Sequence, residues 1–260
     1  KIGIIGGGTM GSGIATACLL SGLSVKLLET AQENLDRGRA TITKNLEGAV
    51  KRGKLSQDKF DMVLSNLDGS LEISNFSDVD LVIEAAFEDM AIKKEIFTKL
   101  DAVCKKGAVL ASNTSYLDIN EIAAVTKRPE DVIGLHFFSP AHVMKLLEIV
   151  RADHTGDAIV ATCMALAKTI NKTAVLVGVL KGFLSRRLLA LSERDQCKLA
   201  GFKSDVVLPA KSLDCFHWIG THGTGDGPDV VGVTCRIESV HGVLAASGDG
   251  CACASSGTSG

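Results

Sequence analysis

Short apolar runs alternate with longer stretches of helical periodicity along the first 180 residues of the chain. The apolar runs predict strands at 2–5, 25–28, 80–84, 108–111, 132–135, 145–150 and 173–179. The periodic stretches predict helices at 10–21, 32–52, 57–67, 89–104, 118–125 and 157–170. Strands that alternate with helices predict an α/β fold, with a doubly wound and mostly parallel sheet covered by helices on both faces.

This alternation of apolar runs and helical periodicity ends near residue 180. Residues 201–260 lose clear helical periodicity, carry scattered Gly, Cys and His, and end in CACASSGTSG. We therefore divide the chain into an α/β domain, residues 1–180, and a divergent C-terminal segment, residues 181–260, for which folded and disordered states both stay open. The chain also begins directly on its first predicted strand without Met, so we expect it to be a piece of a longer protein.

The first strand runs into a glycine-rich turn that opens the first helix. Gly6, Gly8 and Gly11 occupy the glycine positions of G-x-G-x-x-G, where they allow a tight turn, approach to a pyrophosphate and close helix packing. Thr9 and Met10 lie where the turn meets the helix, whose N-terminal amides would point at the phosphates. This context predicts a Rossmann-like dinucleotide site.

A carboxylate, Glu29, comes directly after the second predicted strand. A carboxylate in that position can hydrogen-bond both ribose hydroxyls of an adenosine and would repel a 2′-phosphate. We therefore predict NAD rather than NADP as the cofactor. The alternative is an ordinary solvated acid at the end of a strand.

Composition excludes several other classes of function. An apolar content of 46% supports a core, and a formal net charge of −2 argues against nucleic-acid or membrane-surface partners. No apolar run reaches the length of a membrane span. The eight Cys form no C-x-x-C pair, and Cys251 and Cys253 are too close for usual zinc spacing, so we expect no metal. Cys18, Cys104 and Cys163 are interpreted as buried or half-buried free thiols of a reducing compartment.

Several polar side chains follow predicted strands, where ligands of such sheets bind. These residues are Glu29, Glu84, Ser112–Ser115 and His136. His136 precedes Glu148 by twelve residues, and a strand, a turn and a second strand would bring the two side chains together. Such a pair suits general acid–base chemistry, because the carboxylate orients the imidazole and stabilises its charged form. Beside a nicotinamide, the proton would come from an alcohol that loses hydride. No nucleophile-elbow pattern surrounds Ser112 or Ser115, so a serine hydrolase is not expected.

Five segments of the chain, in unbroken order, carry a resemblance to a known family. They are GIIGGGTMGSGIA, DLVIEAAFEDMAIKKEIF, ASNTS, GLHFFSPAHVMKLLEIV and VLVGV. Together they resemble the L-3-hydroxyacyl-coenzyme A dehydrogenases, and in particular the dehydrogenase part of multifunctional fatty-acid β-oxidation enzymes, over residues 1–179. The resemblance implies an NAD-dependent enzyme that oxidises (S)-3-hydroxyacyl-coenzyme A to 3-oxoacyl-coenzyme A.

The resemblance also implies roles for individual residues. His136 would be the catalytic base, Glu148 its orienting partner, and Ser115 would hydrogen-bond the 3-oxygen of the substrate. The implied cofactor contacts are Glu88 and Lys93 near the nicotinamide ribose, Ser139 near the nicotinamide amide, Glu29 at the adenosine ribose, and Ser115. Asn113 would shape its loop, and His142 and His154 would be surface residues.

A basic cluster occupies the second and third predicted helices. Its members are Lys44, Lys51, Arg52, Lys54 and Lys59. One interpretation is a solvated face. The other is an arm that meets an anionic substrate tail, such as the phosphates of coenzyme A.

The chain departs from the family pattern after residue 181. The family continues with G-F-x-x-N-R, whose Asn helps to bind the acyl end, whereas residues 182–187 read GFLSRR and place Arg186 at that position. Arginine is longer, permanently charged and lacks the amide acceptor. The helical domain that closes the family's cleft and forms its dimer is not found in the sequence. Whether this chain forms a dimer therefore stays an open question. A shifted reading frame or an artefact of the gene model after about Val179 would explain the change.

Two alternatives to this enzyme stay open. One is a fragment that binds NAD with little or no turnover, and the other is a dehydrogenase of another small hydroxy acid, because the sheet alone permits many substrates. The resemblance further implies an enoyl-coenzyme A hydratase domain in the parent chain. It implies a peroxisomal location in a eukaryote or a cytoplasmic one in a bacterium.

Overall fold

The computed structural model describes residues 1–179 and three short strands of the C-terminal segment. The strands within residues 1–179 are β1 (Ile2–Ile5), β2 (Val25–Leu28), β3 (Leu67–Ser70), β4 (Leu81–Glu84), β5 (Val109–Ser112), β6 (Val132–Phe137), β7 (Leu146–Arg151) and β8 (Thr173–Gly178). The α-helices are α1 (Thr9–Leu20), α2 (Gln32–Lys51), α3 (Gln57–Ser65), α4 (Met90–Val103), α5 (Ile119–Ala123) and α6 (Asp157–Thr169). Single 3₁₀ turns span Ile73–Phe76 and Pro129–Asp131. Arg186 lies outside the described residues.

The sheet has the strand order of a dinucleotide-binding fold. From one edge it runs β3-β2-β1-β4-β5-β6-β7-β8, and β1 to β6 are parallel. The expected doubly wound, mostly parallel sheet is therefore confirmed. β7 pairs antiparallel with β6, and β8 runs parallel to β7. Beyond β8 the sheet continues with β9 (Val207–Pro209), β11 (Val243–Ala246) and β10 (Ile237–Val240), in that order.

Alternating strand residues send their side chains to two separate cores, one on each face. Ile4 joins a cluster with residues of α1, α2 and α6, whereas its neighbour Ile5 joins a cluster with residues of α4 and α5. The longest helix, α2, forms because Leu35, Ile42 and Leu46 recur at helical spacing and are all buried on one side. Burial on both faces explains why the strands appear in the sequence as continuous apolar runs.

Two local predictions differ from the structure. The predicted helix 57–67 ends at Ser65, and residues 67–70 form the edge strand β3, which the sequence analysis missed. The run LDGS has low intrinsic strand preference, and it is strand pairing with β2 that makes it extended. The predicted strand 132–135 continues to Phe137, so His136 lies within β6 instead of after it.

The three cysteines of the α/β domain are free and buried, as predicted. Burial raises the pKa of the Cys18 and Cys163 thiols to about 12 and that of Cys104 to about 11. Thiols with such pKa values carry almost no thiolate at neutral pH, so we expect them to be inert. Among the helices that the structure describes, none combines the length and apolar character needed to cross a bilayer.

Candidate active site

The carboxyl ends of the parallel strands bring the candidate residues to one edge of the sheet. Glu84 ends β4 and Ser112 ends β5, and these two residues are register partners. Ile5, which ends β1, is paired with Glu84 on the other side. The glycine turn therefore follows a strand adjacent to β4. Three strand spacings, about 14 Å, separate β1 from the strand that carries His136.

The three glycines of the turn differ in what a side chain would meet. Gly6 has φ +93°, and a Cβ there would lie 2.8 Å from the Ala85 carbonyl oxygen. At Gly11 a Cβ would lie 1.8 Å from the Gly6 carbonyl oxygen, whereas at Gly8 nothing lies within 4 Å. Gly6 and Gly11 are thus required by the turn itself, and Gly8 leaves open space beside the N-terminus of α1. This space and the helix amides fit the pyrophosphate of a dinucleotide.

Glu29 is tied to the same turn. Its carboxylate accepts a hydrogen bond from the Gly7 backbone N–H at 2.6 Å and one from the Thr30 N–H at 3.1 Å. These bonds hold an anionic acceptor beside the glycine turn, where an adenosine ribose would be recognised.

His136 and Glu148 are directly opposed across the antiparallel pair β6–β7. His136 Nδ1 lies 2.7 Å from Glu148 Oε2, and both side chains are buried, with 10% and 2% exposed. A carboxylate oxygen only accepts, so Nδ1 carries the proton and the ring orientation is fixed. The Phe138 ring lies 4.5 Å from the imidazole centroid to centroid. The structure thus brings together the two side chains that the sequence analysis paired.

Asn113 links the β5 loop to the histidine strand. Its side-chain Oδ1 accepts from the Phe137 backbone N–H at 2.8 Å, and its backbone N–H donates to the Glu84 backbone carbonyl at 2.7 Å. The amide therefore braces the backbone directly after His136, in keeping with the expected loop-shaping role.

Glu88 holds the loop that contains Ser115. Its Oε1 accepts from Thr114 Oγ1 at 2.6 Å, from the Ser115 N–H at 2.6 Å and from Ser115 Oγ at 3.2 Å. Burial disfavours the charged carboxylate, but these hydrogen bonds and the Lys93 ammonium outweigh it and hold the pKa of Glu88 below its usual value. Glu88 is therefore ionised at neutral pH and orients the Ser115 hydroxyl.

Lys93 lies in the first turn of α4 and is fully buried between two carboxylates. Its Nζ contacts the two oxygens of Glu84 at 2.8 and 2.9 Å and Glu88 Oε2 at 3.3 Å. The sequence analysis placed Glu84 among the polar residues that follow strands, but it did not predict the ion pair with Lys93. The signal that could have found it is an acid that closes the apolar run DLVIE nine residues before a lysine on the following helix.

The remaining candidates lie in the loop after β6 or beyond it. Ser139 and His154 are exposed. The expectation of a surface position is wrong for His142, which is half-buried and whose Nδ1 is buried without a hydrogen-bond partner. Burial, followed by the nearby charges of Arg52, Lys172 and Lys54, lowers the pKa of His142.

All members of the basic cluster on α2, on α3 and in the turn between them are exposed. The electrostatic influence of Arg52 and Lys54 on His142 shows that the turn between α2 and α3 comes near the loop after β6. Arg52 and Lys54 therefore lie near the loop that follows the histidine strand. Within the described part of the chain, no group of three or more metal-ligating side chains is suited to an ion.

Comparison with known proteins gives a consistent set of relatives. Residues 1–179 match the family described as 3-hydroxyacyl-CoA dehydrogenase, NAD binding domain. The chain is 48% identical over 216 residues to the glyoxysomal fatty acid beta-oxidation multifunctional protein MFP-a of Brassica napus, covering 83% of the chain and 30% of that protein. It is 39% identical over 236 residues to the 3-hydroxybutyryl-CoA dehydrogenase of Clostridioides difficile, covering 89% of the chain and 84% of that protein.

A solved structure agrees with these sequence matches. The (S)-3-hydroxybutyryl-CoA dehydrogenase of Ralstonia eutropha superposes with a TM-score of 0.72 at 36% identity, covering 74% of this chain and 68% of that one. The chain spans less than a third of the length of the first multifunctional relatives that it matches, 30% in Brassica napus and 26% in Arabidopsis thaliana.

Proposed function

Because the chain belongs to the 3-hydroxyacyl-CoA dehydrogenase family, with residues 1–179 forming its NAD-binding domain, we propose that it oxidises (S)-3-hydroxyacyl-coenzyme A to 3-oxoacyl-coenzyme A. The observation that carries this proposal is the buried His136–Glu148 pair at 2.7 Å, on the sheet that also bears the glycine turn. Bound NAD supplies the acceptor for the hydride that leaves C3 of the substrate.

The acid–base step belongs to His136. Nδ1 is engaged by Glu148, so Nε2 is the ring nitrogen that takes the proton of the substrate hydroxyl. The imidazolium that forms is stabilised by the Glu148 carboxylate, which is almost completely buried and therefore weakly screened by water. A positioned general base of this kind contributes roughly two to four orders of magnitude in rate.

Ser115 orients the reacting oxygen. Its hydroxyl donates to Glu88 in the structure, and the same hydroxyl can accept a hydrogen bond from an alcohol or turn to donate to a ketone. Glu29 at the adenosine ribose, Glu88 and Lys93 at the nicotinamide ribose and Ser139 at the nicotinamide amide complete the proposed cofactor contacts. Gly6, Gly8, Gly11, Thr9 and Met10 form the phosphate end.

The setting of the reaction follows from the relatives. The Brassica napus relative is named glyoxysomal and those of Arabidopsis thaliana and Danio rerio peroxisomal, and all are multifunctional or bifunctional. We propose fatty-acid β-oxidation as the pathway, a peroxisomal location in a eukaryote or a cytoplasmic one in a bacterium, and an enoyl-coenzyme A hydratase domain elsewhere in the parent chain. We keep the two-domain division at residue 180 as part of the same proposal.

The test is NADH formation from a 3-hydroxyacyl-coenzyme A by the full chain. We expect His136→Gln to lower kcat by at least about a hundredfold, and His154→Gln, which changes an exposed histidine, to leave it unchanged. Equal rates for His136→Gln and the unmutated chain would remove His136 from the mechanism. Oxidation of free 3-hydroxybutyrate as efficiently as its coenzyme A thioester would indicate another substrate class.

A second candidate function, an NAD-binding fragment with little turnover, is favoured by Arg186 in place of the family's Asn. Tight NADH binding without oxidation of any 3-hydroxyacyl-coenzyme A would support this alternative over the enzyme.

A further inference from the structure

The Glu84 carboxylate is the most completely enclosed charge at the carboxyl edge of the sheet that the structure describes. It has no exposed surface and accepts four hydrogen bonds, from the Ala86 N–H, from Ser112 Oγ and twice from the Lys93 ammonium. Four bonds to a buried carboxylate fix its position firmly. These contacts include neither the glycine turn nor Ser115, and Lys93 is the partner that also contacts Glu88.

The Lys93 ammonium contacts two carboxylates. Two contacts go to Glu84, which is fully buried, and the third goes to Glu88, whose side chain is 28% exposed. The two contacts with Glu84 are also the shorter ones, at 2.8 and 2.9 Å against 3.3 Å for Glu88, and removal of one partner from a buried ion pair is strongly unfavourable. Glu84 therefore determines where the positive charge of Lys93 lies.

Glu88 is the next member of the chain of contacts. One of its oxygens meets Lys93, and the other accepts three hydrogen bonds from Thr114 and Ser115. A displacement of the Lys93 ammonium would pull the carboxylate and rotate the oxygen that holds the Ser115 hydroxyl. The network therefore connects the end of β4 to the loop after β5 through the first turn of α4.

We propose that Glu84 is a positioning residue that, through Lys93, sets the orientation of Glu88 and thereby of the Ser115 hydroxyl. The inference rests on the proposed function, in which Glu88, Lys93 and Ser115 meet the cofactor or substrate. It adds a residue that is fully buried and acts on the site through its ion pair with Lys93.

The experiment is a double-mutant cycle on the full chain, with NADH affinity measured by fluorescence titration. Glu84→Gln and Glu88→Gln, each alone, are expected to raise the dissociation constant about tenfold or more, the scale of one hydrogen bond to a charged group. The double variant is expected to resemble Glu88→Gln alone, because the path from Glu84 is already broken. Losses that multiply instead would show independent effects and overturn the proposal.

Asp101→Asn is the matched control. Asp101 lies near the other end of α4 and is paired with Arg128 at 3.2 Å, both 11% exposed, so its loss weakens a similarly buried ion pair away from the site. We expect a lower melting temperature with unchanged NADH affinity. If Glu84→Gln does not fold, Glu84→Asp keeps the charge but shortens the side chain by one methylene, about 1.5 Å, and is expected to weaken NADH binding in the same way.

The outcomes separate this inference from the proposed function. If Glu84→Gln, or Glu84→Asp where that variant replaces it, binds NADH as tightly as the unmutated chain does, the positioning role is refuted. The proposed dehydrogenase function is not affected by that result. Absence of NADH binding by the unmutated chain would refute both.

Discussion

A single methyl group added at Gly11 is expected to destabilise the domain, whereas the same group at Gly8 is expected to spare it. A Cβ at position 11 would lie 1.8 Å from the Gly6 carbonyl oxygen and 3.0 Å from the Gly6 carbonyl carbon. Non-bonded carbon atoms normally approach to about 3.5 Å, so the turn and α1 must separate by more than an ångström. The obstacle is backbone, which cannot rotate away as a side chain would.

The magnitude follows from the cost of overpacking. Inserted methyl groups in a well-packed core cost about 1–3 kcal/mol, and the rigid obstacle at Gly11 argues for the upper end, about 3 kcal/mol. For a domain of this size that corresponds to a fall in melting temperature of roughly 6–12 °C. At Gly8, where φ is −68° and nothing lies within 4 Å, the cost is the loss of a favourable N-cap residue, about 1 kcal/mol or less.

The assay measures two quantities for Gly11→Ala, Gly8→Ala and the unmutated chain. Urea denaturation gives the free energy of unfolding, and NADH titration gives the affinity. Gly8→Ala is expected to lose affinity because its methyl group enters the space proposed for the pyrophosphate, while its stability stays close to that of the unmutated chain. Unchanged stability of Gly11→Ala would refute the packing argument, and unchanged affinity of Gly8→Ala would refute the cofactor position.

Three further predictions concern the acid–base pair, its brace and a buried lysine. Glu148→Gln is expected to lower kcat/KM about 10- to 100-fold, because the bond to His136 loses its charge; steady-state kinetics with unchanged kcat/KM would contradict this. Asn113→Ala leaves the Phe137 N–H without its acceptor, so we expect unfolding in urea to show a loss of about 1–3 kcal/mol, and a loss below 0.5 kcal/mol, about the scatter of surface substitutions, would contradict it. Burial, with a smaller effect of Lys145, lowers the pKa of Lys172 from 10.5 to about 8. The unfolded state therefore binds more protons between about pH 8 and 10.5, and stability relative to Lys172→Met is expected to rise with pH across that interval; parallel pH profiles for the two proteins would exclude this linkage.

The sequence predicted the parallel part of the sheet well because its strands are buried on both faces and appear as uninterrupted apolar runs. Strand β3 was not predicted because Asp68, Gly69 and Ser70 carry no such pattern. Pairing with the neighbouring strand β2 holds them extended. Propensity describes a segment alone, whereas an edge strand depends on its partner.

The sequence likewise predicted some contacts of the candidate site and missed others. The spacing of His136 and Glu148 across a turn predicted their contact, since facing residues of a hairpin are set by pairing register. The buried position of Glu84 and its bond to Lys93 depend on how α4 packs against the sheet, which the nine-residue spacing of the two side chains permits but does not determine. His142 was placed on the surface for the same reason, because its half-burial comes from its tertiary surroundings.

Because β7 runs antiparallel to β6, the contact between His136 and Glu148 depends on how the two strands are joined and paired. Since the eight residues 138–145 join β6 to β7, and side chains alternate along each strand, a slip of one residue would set Leu147 or Ile149 against the imidazole and turn the acid to the opposite face. The buried apolar residues on either side of Glu148 oppose such a slip, because it would move them out of the core. The imidazole–carboxylate unit is thus one piece of hairpin geometry.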